Sequence, residues 1–116
     1  MPIIEMKASV PVGKEIRKKL SDRFRKAFLK AGEPVCADNL AVRIEEDCWI
    51  SFRGESESPA AIVTIHPGPL TPEEDYRPIV DDMFEAMREL LPEISPDRVY
   101  MTVSEIAHWG FSGRYL

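Results

Sequence analysis

The stretch PIIEMKA (residues 2–8), SVPVGKEIRKKLSDRFRKAFLKAG (9–32) and, a few residues on, NLAVRIEE (39–46) changes its hydrophobic period twice. Residues 2–8 read as a strand. Across 9–32, Ile16, Leu20, Phe24 and Phe28 recur every four residues with Ala27 and Ala31 beside them, an apolar stripe on an otherwise charged helix. Pro11 near its start and Gly32 just past its end are the expected punctuation. In 39–46, Leu40, Val42 and Ile44 share one face and Ala41, Arg43 and Glu45 the other, the period of a strand. The unit is β-α-β.

The same order recurs. PAAIVTIH (59–66) reads as a strand with two largely apolar faces, and TPEEDYRPIVDDMFEAMRELL (71–91) as a helix striped by Ile79, Met83, Met87 and Leu90. Thr71 is the expected N-cap, with Pro72 in the first turn and Glu74 placed to close a capping box, while Pro78 makes a local irregularity. RVYMTVSE (98–105) closes the unit, with Val99, Met101 and Val103 on one face and Tyr100, Thr102 and Ser104 on the other. Pseudo-repeats 2–46 and 59–105 thus predict a single α+β domain over 1–116: two β-α-β units merged into a four-stranded mixed sheet with two helices on one face. The other face carries Arg43 and Tyr100 among mixed residues, and having no helix left to cover it, it suggests burial by oligomerisation.

Composition narrows the function classes. A chain of 116 residues, 44% hydrophobic and 30% charged, is long enough for one core without metals or disulfides. No apolar run reaches membrane-spanning length and the start lacks a secretory signal, so a cytoplasmic protein with no membrane partner is expected. Cys36 and Cys48 make no CxxC and have no nearby histidine, which speaks against metal or thiol-redox chemistry. Net charge is −5, unevenly spread: eight bases lie between Lys14 and Lys30, and seven acids between Glu73 and Glu89. Because the chain is acidic overall, a solvated helix face beside an acidic neighbour is the favoured reading over a nucleic-acid surface.

Several strings carry a resemblance to a family: Pro2 directly after Met1, ASVP (8–11), AVRI (41–44), SFRGESESPA (51–60) and, the most specific, ISPDRVY (94–100). Together they resemble the tautomerase superfamily, most closely the branch containing macrophage migration inhibitory factor, over nearly the whole chain. The tail AHWGFSGRYL (107–116) is similar to the ends of bacterial branches such as malonate semialdehyde decarboxylase. The resemblance implies a homotrimer with active sites near subunit boundaries. It implies a keto-enol tautomerase that needs no metal or organic cofactor, acting on α-keto acids such as phenylpyruvate.

In that chemistry one group takes a proton from carbon and returns it, and the best shuttle has a pKa near the working pH. By resemblance this is the secondary amine of Pro2, exposed once Met1 is trimmed, with desolvation in an apolar pocket disfavouring its charged form. Where the closest branch carries a lysine after the helix glycine, this chain has Glu33, which would repel a carboxylate. Arg43 is the candidate cation, with a plain ion pair to Glu45 the competing reading. Tyr100 falls at the position of a pocket tyrosine and Thr102 at that of a pocket asparagine. Phe52, Trp109 and Phe111 are expected pocket walls or, equally, packing residues. In TIHPGPL (64–70), Gly68 allows a substrate close to the backbone, and His66 is either a titrating group or a structural one. That loop has no arginine, which argues against dehalogenation; decarboxylation or hydration of a small acid, and a non-catalytic trimeric binding or signalling protein, remain the alternatives.

Overall fold

The computed structural model describes residues 1–115. Its central feature is a four-stranded sheet of β1 (Ile3–Ala8), β2 (Ala41–Glu45), β3 (Ala61–His66) and β4 (Val99–Val103), in the order β2-β1-β3-β4. β1 pairs parallel with β2 and antiparallel with β3, and β3 pairs parallel with β4, so the sheet is mixed as the two crossovers require. Helices α1 (Lys14–Lys30) and α3 (Tyr76–Leu90) provide those crossovers. Both pack on the face made by Ile4, Met6 and Ala8 of β1 and Ala61, Val63 and Ile65 of β3, all buried. From the helix side, Leu20, Phe24 and Phe28 of α1 meet Ile79, Met83 and Met87 of α3 in the same core. Fully burying a side chain of this kind is worth about 1.5–3 kcal/mol, so the two stripes read from the sequence supply most of the driving force.

The charge runs meet as well. Arg23 of α1 pairs with Glu89 of α3, and Lys30 reaches Asp82 at 3.2 Å. The basic helix face thus lies against its acidic neighbour. No helix among the described residues is long and apolar enough to cross a membrane.

Local structure differs from the expectation in three places. A further short helix, α2 (Pro34–Asp38), follows α1, opening on Pro34 in its first turn. Thr71 caps nothing: Glu73–Asp75 form a 3₁₀ turn before α3, and the buried Thr71 hydroxyl instead contacts the Cys36 thiol at 3.3 Å. The tail folds back as a small hairpin of β5 (Gly110–Phe111) and β6 (Arg114–Tyr115), separate from the main sheet. Its turn residues Ser112 and Gly113 both have positive φ, the backbone of the tight hairpin turn that matches strand twist.

Arg98, from ISPDRVY, is buried and ties the 48–60 loop to the sheet. Its guanidinium donates to the carbonyls of Pro59 (3.0 Å), Ser58 (3.1 Å) and Phe52 (3.3 Å), and it meets the Glu55 carboxylate at 2.9 Å. Arg98→Ala removes all of these bonds at once, and the net loss for one such hydrogen bond to a charged group is about 1.5–3 kcal/mol. A matching fall in unfolding free energy, with faster amide exchange confined to residues 48–60, is the expected outcome. Unchanged exchange in that loop would contradict the anchoring role.

Candidate active site

The end of β1 that carries Pro2 abuts a cavity of about 430 Å³, lined by the turn after α1, by α2, by the loop 67–70 and by Phe111 of the tail hairpin. The turn is fixed by the backbone. Gly32, at φ 83°, donates to the carbonyl of Leu29 at 3.0 Å, and Glu33 donates to that of Phe28 at 2.9 Å, the paired bonds of a Schellman helix end. Glu33 is therefore delivered to the cavity wall by the way α1 terminates. α2 then contributes Val35 and Cys36.

The chain's start forms another part of the wall. Pro2 is fully buried, and its carbonyl accepts the N–H of Ala41 at 3.1 Å, which extends the β1–β2 pairing by one step. Met1 lies over it at the cavity surface, against Gly68. A Cβ on Gly68 would stand 2.9 Å from the Met1 nitrogen and 3.4 Å from the Cys36 sulfur. Glycine is thus required here by space, since the loop must touch the chain's first residue.

Of the substrate-binding residues expected from the sequence, Gly68 is the one brought to this cavity. Arg43 lies on the uncovered sheet face and pairs with Glu45 at 2.7 Å. Tyr100 is exposed at the far end of the sheet, opposite Ile62, which in turn faces Lys7. Pro2 is five residues from Lys7 along β1, about 16 Å at 3.3 Å per residue. Phe52 packs there too, its ring centroid 4.9 Å from that of Tyr100 and 5.3 Å from the Arg98 guanidinium carbon. Thr102 is exposed on β4, and Trp109 is half-buried with its indole N–H on the Ile106 carbonyl at 2.9 Å. His66 is held between the Ser104 carbonyl (3.0 Å) and Glu5 (3.7 Å). Phe111, two residues beyond Trp109, does reach the cavity.

Sequence reading missed Val35, Cys36 and Leu70 as cavity residues. Gly32 followed by Pro34 was the available signal: a helix stop and a helix start two residues apart bring the next turn back over the core. The electrostatics of the site centre on Glu33. Burial, then the hydrogen bond and charge of Asp75, hold its carboxyl above the ordinary carboxylate range, and the Cys36 thiol, 3.9 Å away, offsets this in part. On the other side of the loop 67–70 a second cavity, of about 350 Å³, is flanked by the Tyr76 hydroxyl donating to Glu105 at 2.6 Å, which pushes the phenol up to about 12.

A raised carboxyl has a definite effect on stability. The unfolded chain releases the Glu33 proton near 4.5 and the folded chain holds it to higher pH. Its contribution is therefore intact below pH 4.5 and is lost as the pH rises through the folded value. Glu33→Gln, neutral throughout, should raise Tm relative to the parent at pH 7–8 and not at pH 4, read by thermal unfolding in matched buffers. An equal difference at both pH values would contradict the assignment.

No protein-family model and no curated protein matches the chain. Solved structures do. MIF2 of Leishmania major superposes with a TM-score of 0.88 at 21% identity, covering 100% of this chain and 97% of that one. The macrophage migration inhibitory factor of Toxoplasma gondii gives 0.82 at 18% identity over 98% and 99% of the two chains. Pt0534 inactivated by 2-oxo-3-pentynoate gives 0.81 at 17% identity over 97% and 93%. The chain has the tautomerase fold of the macrophage migration inhibitory factor homologues, end to end.

Proposed function

We propose that the chain is a cofactor-independent keto-enol tautomerase whose base is the amine of Pro2, freed by removal of Met1, and whose substrates are small enolisable carbonyl compounds of the phenylpyruvate kind. The observation that carries this reading is the burial of Pro2 beneath Met1 beside an apolar-walled cavity. Trimming Met1 turns an amide into a secondary amine and opens the space above it. That amine takes a proton from the carbon next to the carbonyl, and the enol oxygen takes one up; the reverse transfer regenerates the ketone. No electron donor or metal enters the balance.

The assembly proposed is a homotrimer. The uncovered sheet face, with Ile62 and Tyr100 exposed on it, supports burial against further copies. Within one chain Tyr100, Phe52 and Thr102 lie away from Pro2, so in this reading their substrate contacts, and those of Trp109, are made in a neighbouring copy's cavity, while Arg43 stays paired with Glu45. The proposed setting is the cytoplasm, where the unpaired Cys36 and Cys48 stay reduced. Decarboxylation or hydration is less well supported, because no arginine lines the cavity. That a protein of the same fold is inactivated by 2-oxo-3-pentynoate, an electrophilic 2-oxo acid, supports chemistry on carbonyl compounds of this type.

Loss of the phenylpyruvate enol, followed spectroscopically, should fall by about 100-fold or more in Pro2→Ala, the usual scale for losing a positioned base. The parent should also gain one equivalent of 2-oxo-3-pentynoate, mapped to the peptide that begins at Pro2. Equal rates in parent and variant would overturn the proline mechanism.

A further inference from the structure

We infer that Glu33 sets the substrate class of this cavity, selecting enolisable carbonyl compounds that carry no carboxylate beside the carbonyl over the corresponding α-keto acids. The inference rests on the tautomerase reading above and narrows it. An α-keto acid brings a negative charge within a few ångströms of its carbonyl, and a site that accepts it normally supplies a fixed cation. Among the described residues no lysine, arginine or histidine lines the cavity, and the acidic side chain on its wall is Glu33.

Three cations near Glu33 in sequence are engaged elsewhere, and Lys26 does not line the cavity. Lys30 is paired with Asp82 at 3.2 Å, Arg25 with Asp38 at 2.7 Å and Arg43 with Glu45 at 2.7 Å. A second acid, Asp75, bears on Glu33 with like charge. Nor is Glu33 free to withdraw its backbone, which the Schellman bonds to Phe28 and Leu29 hold in place. The neutral groups facing it are the Cys36 thiol at 3.9 Å and, beyond that, the Thr71 hydroxyl.

A carboxylate entering this cavity meets like charge in a partly desolvated space, where screening is weak; an uncharged ester or ketone does not. The rest of the wall favours an apolar occupant. Val35 and Leu70 are 69% and 86% exposed at the rim, and Phe111 faces them. An aryl or alkyl arm fits that rim with the carbonyl toward Pro2. Selectivity then comes from repulsion of the acid as much as from attraction of the neutral compound.

The test compares phenylpyruvate with its methyl ester at pH 7, using the full chain with Met1 removed, for the parent, Glu33→Gln and Glu33→Lys. In the parent, the ester should have a KM lower by about tenfold or more. Glu33→Gln should narrow the ratio and Glu33→Lys should invert it in favour of the acid; Glu33→Gln, nearly the same shape, carries the test if the lysine variant does not fold. Calorimetric Kd values for both compounds on Pro2→Ala separate binding from turnover. Tighter binding of the ester with no turnover of either compound by the parent overturns the tautomerase reading and leaves the selectivity standing. Equal affinity for acid and ester, or a ratio that Glu33→Lys and Glu33→Gln leave unmoved, overturns the selectivity, as a cation contributed by a neighbouring copy would. Binding of neither compound overturns both.

Discussion

β1 is paired on both sides, parallel to β2 and antiparallel to β3, and the rest of the structure depends on that double pairing. A strand at the chain's very start is ordinarily free to fray. Here its inward residues Ile4, Met6 and Ala8 are buried under the helices, and its ladder extends to the Pro2 carbonyl. Residues 2–8 are therefore set at a fixed place in the interior, beside the loop after β3.

Around that fixed point the neighbouring elements are arranged by their own local rules. The Schellman end of α1 delivers Glu33, Pro34 restarts a helix that brings Cys36 inward, and Gly68 lets the 67–70 loop touch the chain's first residue. None of these steps depends on a ligand. The cavity forms because the first crossover ends and the second begins at the same end of the sheet, level with Ile3, and its apolar wall with an acidic side chain on it follows from which residues happen to stand there.

Much of the fold was legible because hydrophobic period reports which face of an element is buried. The stripes of α1 and α3 are where four-residue recurrence puts them, and the rows Leu40, Val42, Ile44 and Val99, Met101, Val103 face the core as alternation has it. α2, the 3₁₀ turn at Glu73 and the tail hairpin were not legible, being too short for a period and decided by turn chemistry and by the Cys36–Thr71 contact. The site was legible unevenly. Pro2 and Gly68 came from motifs and lie together, but Tyr100, Phe52, Thr102 and Arg43 came from the same resemblance and lie elsewhere on the sheet. Alternation tells which face a strand residue occupies; register and strand order tell how far along it stands, and those depend on pairings between segments sixty residues apart.

The claim that everything else serves is that the amine of Pro2, at this place, is the base. The most direct measurement compares enol disappearance in two preparations of equal fold: the chain beginning at Pro2, and the chain with an uncleaved residue ahead of it, each verified by intact mass and circular dichroism. The account predicts turnover in the first and none above background in the second, where the same nitrogen is an amide. Equal rates in the two would contradict it.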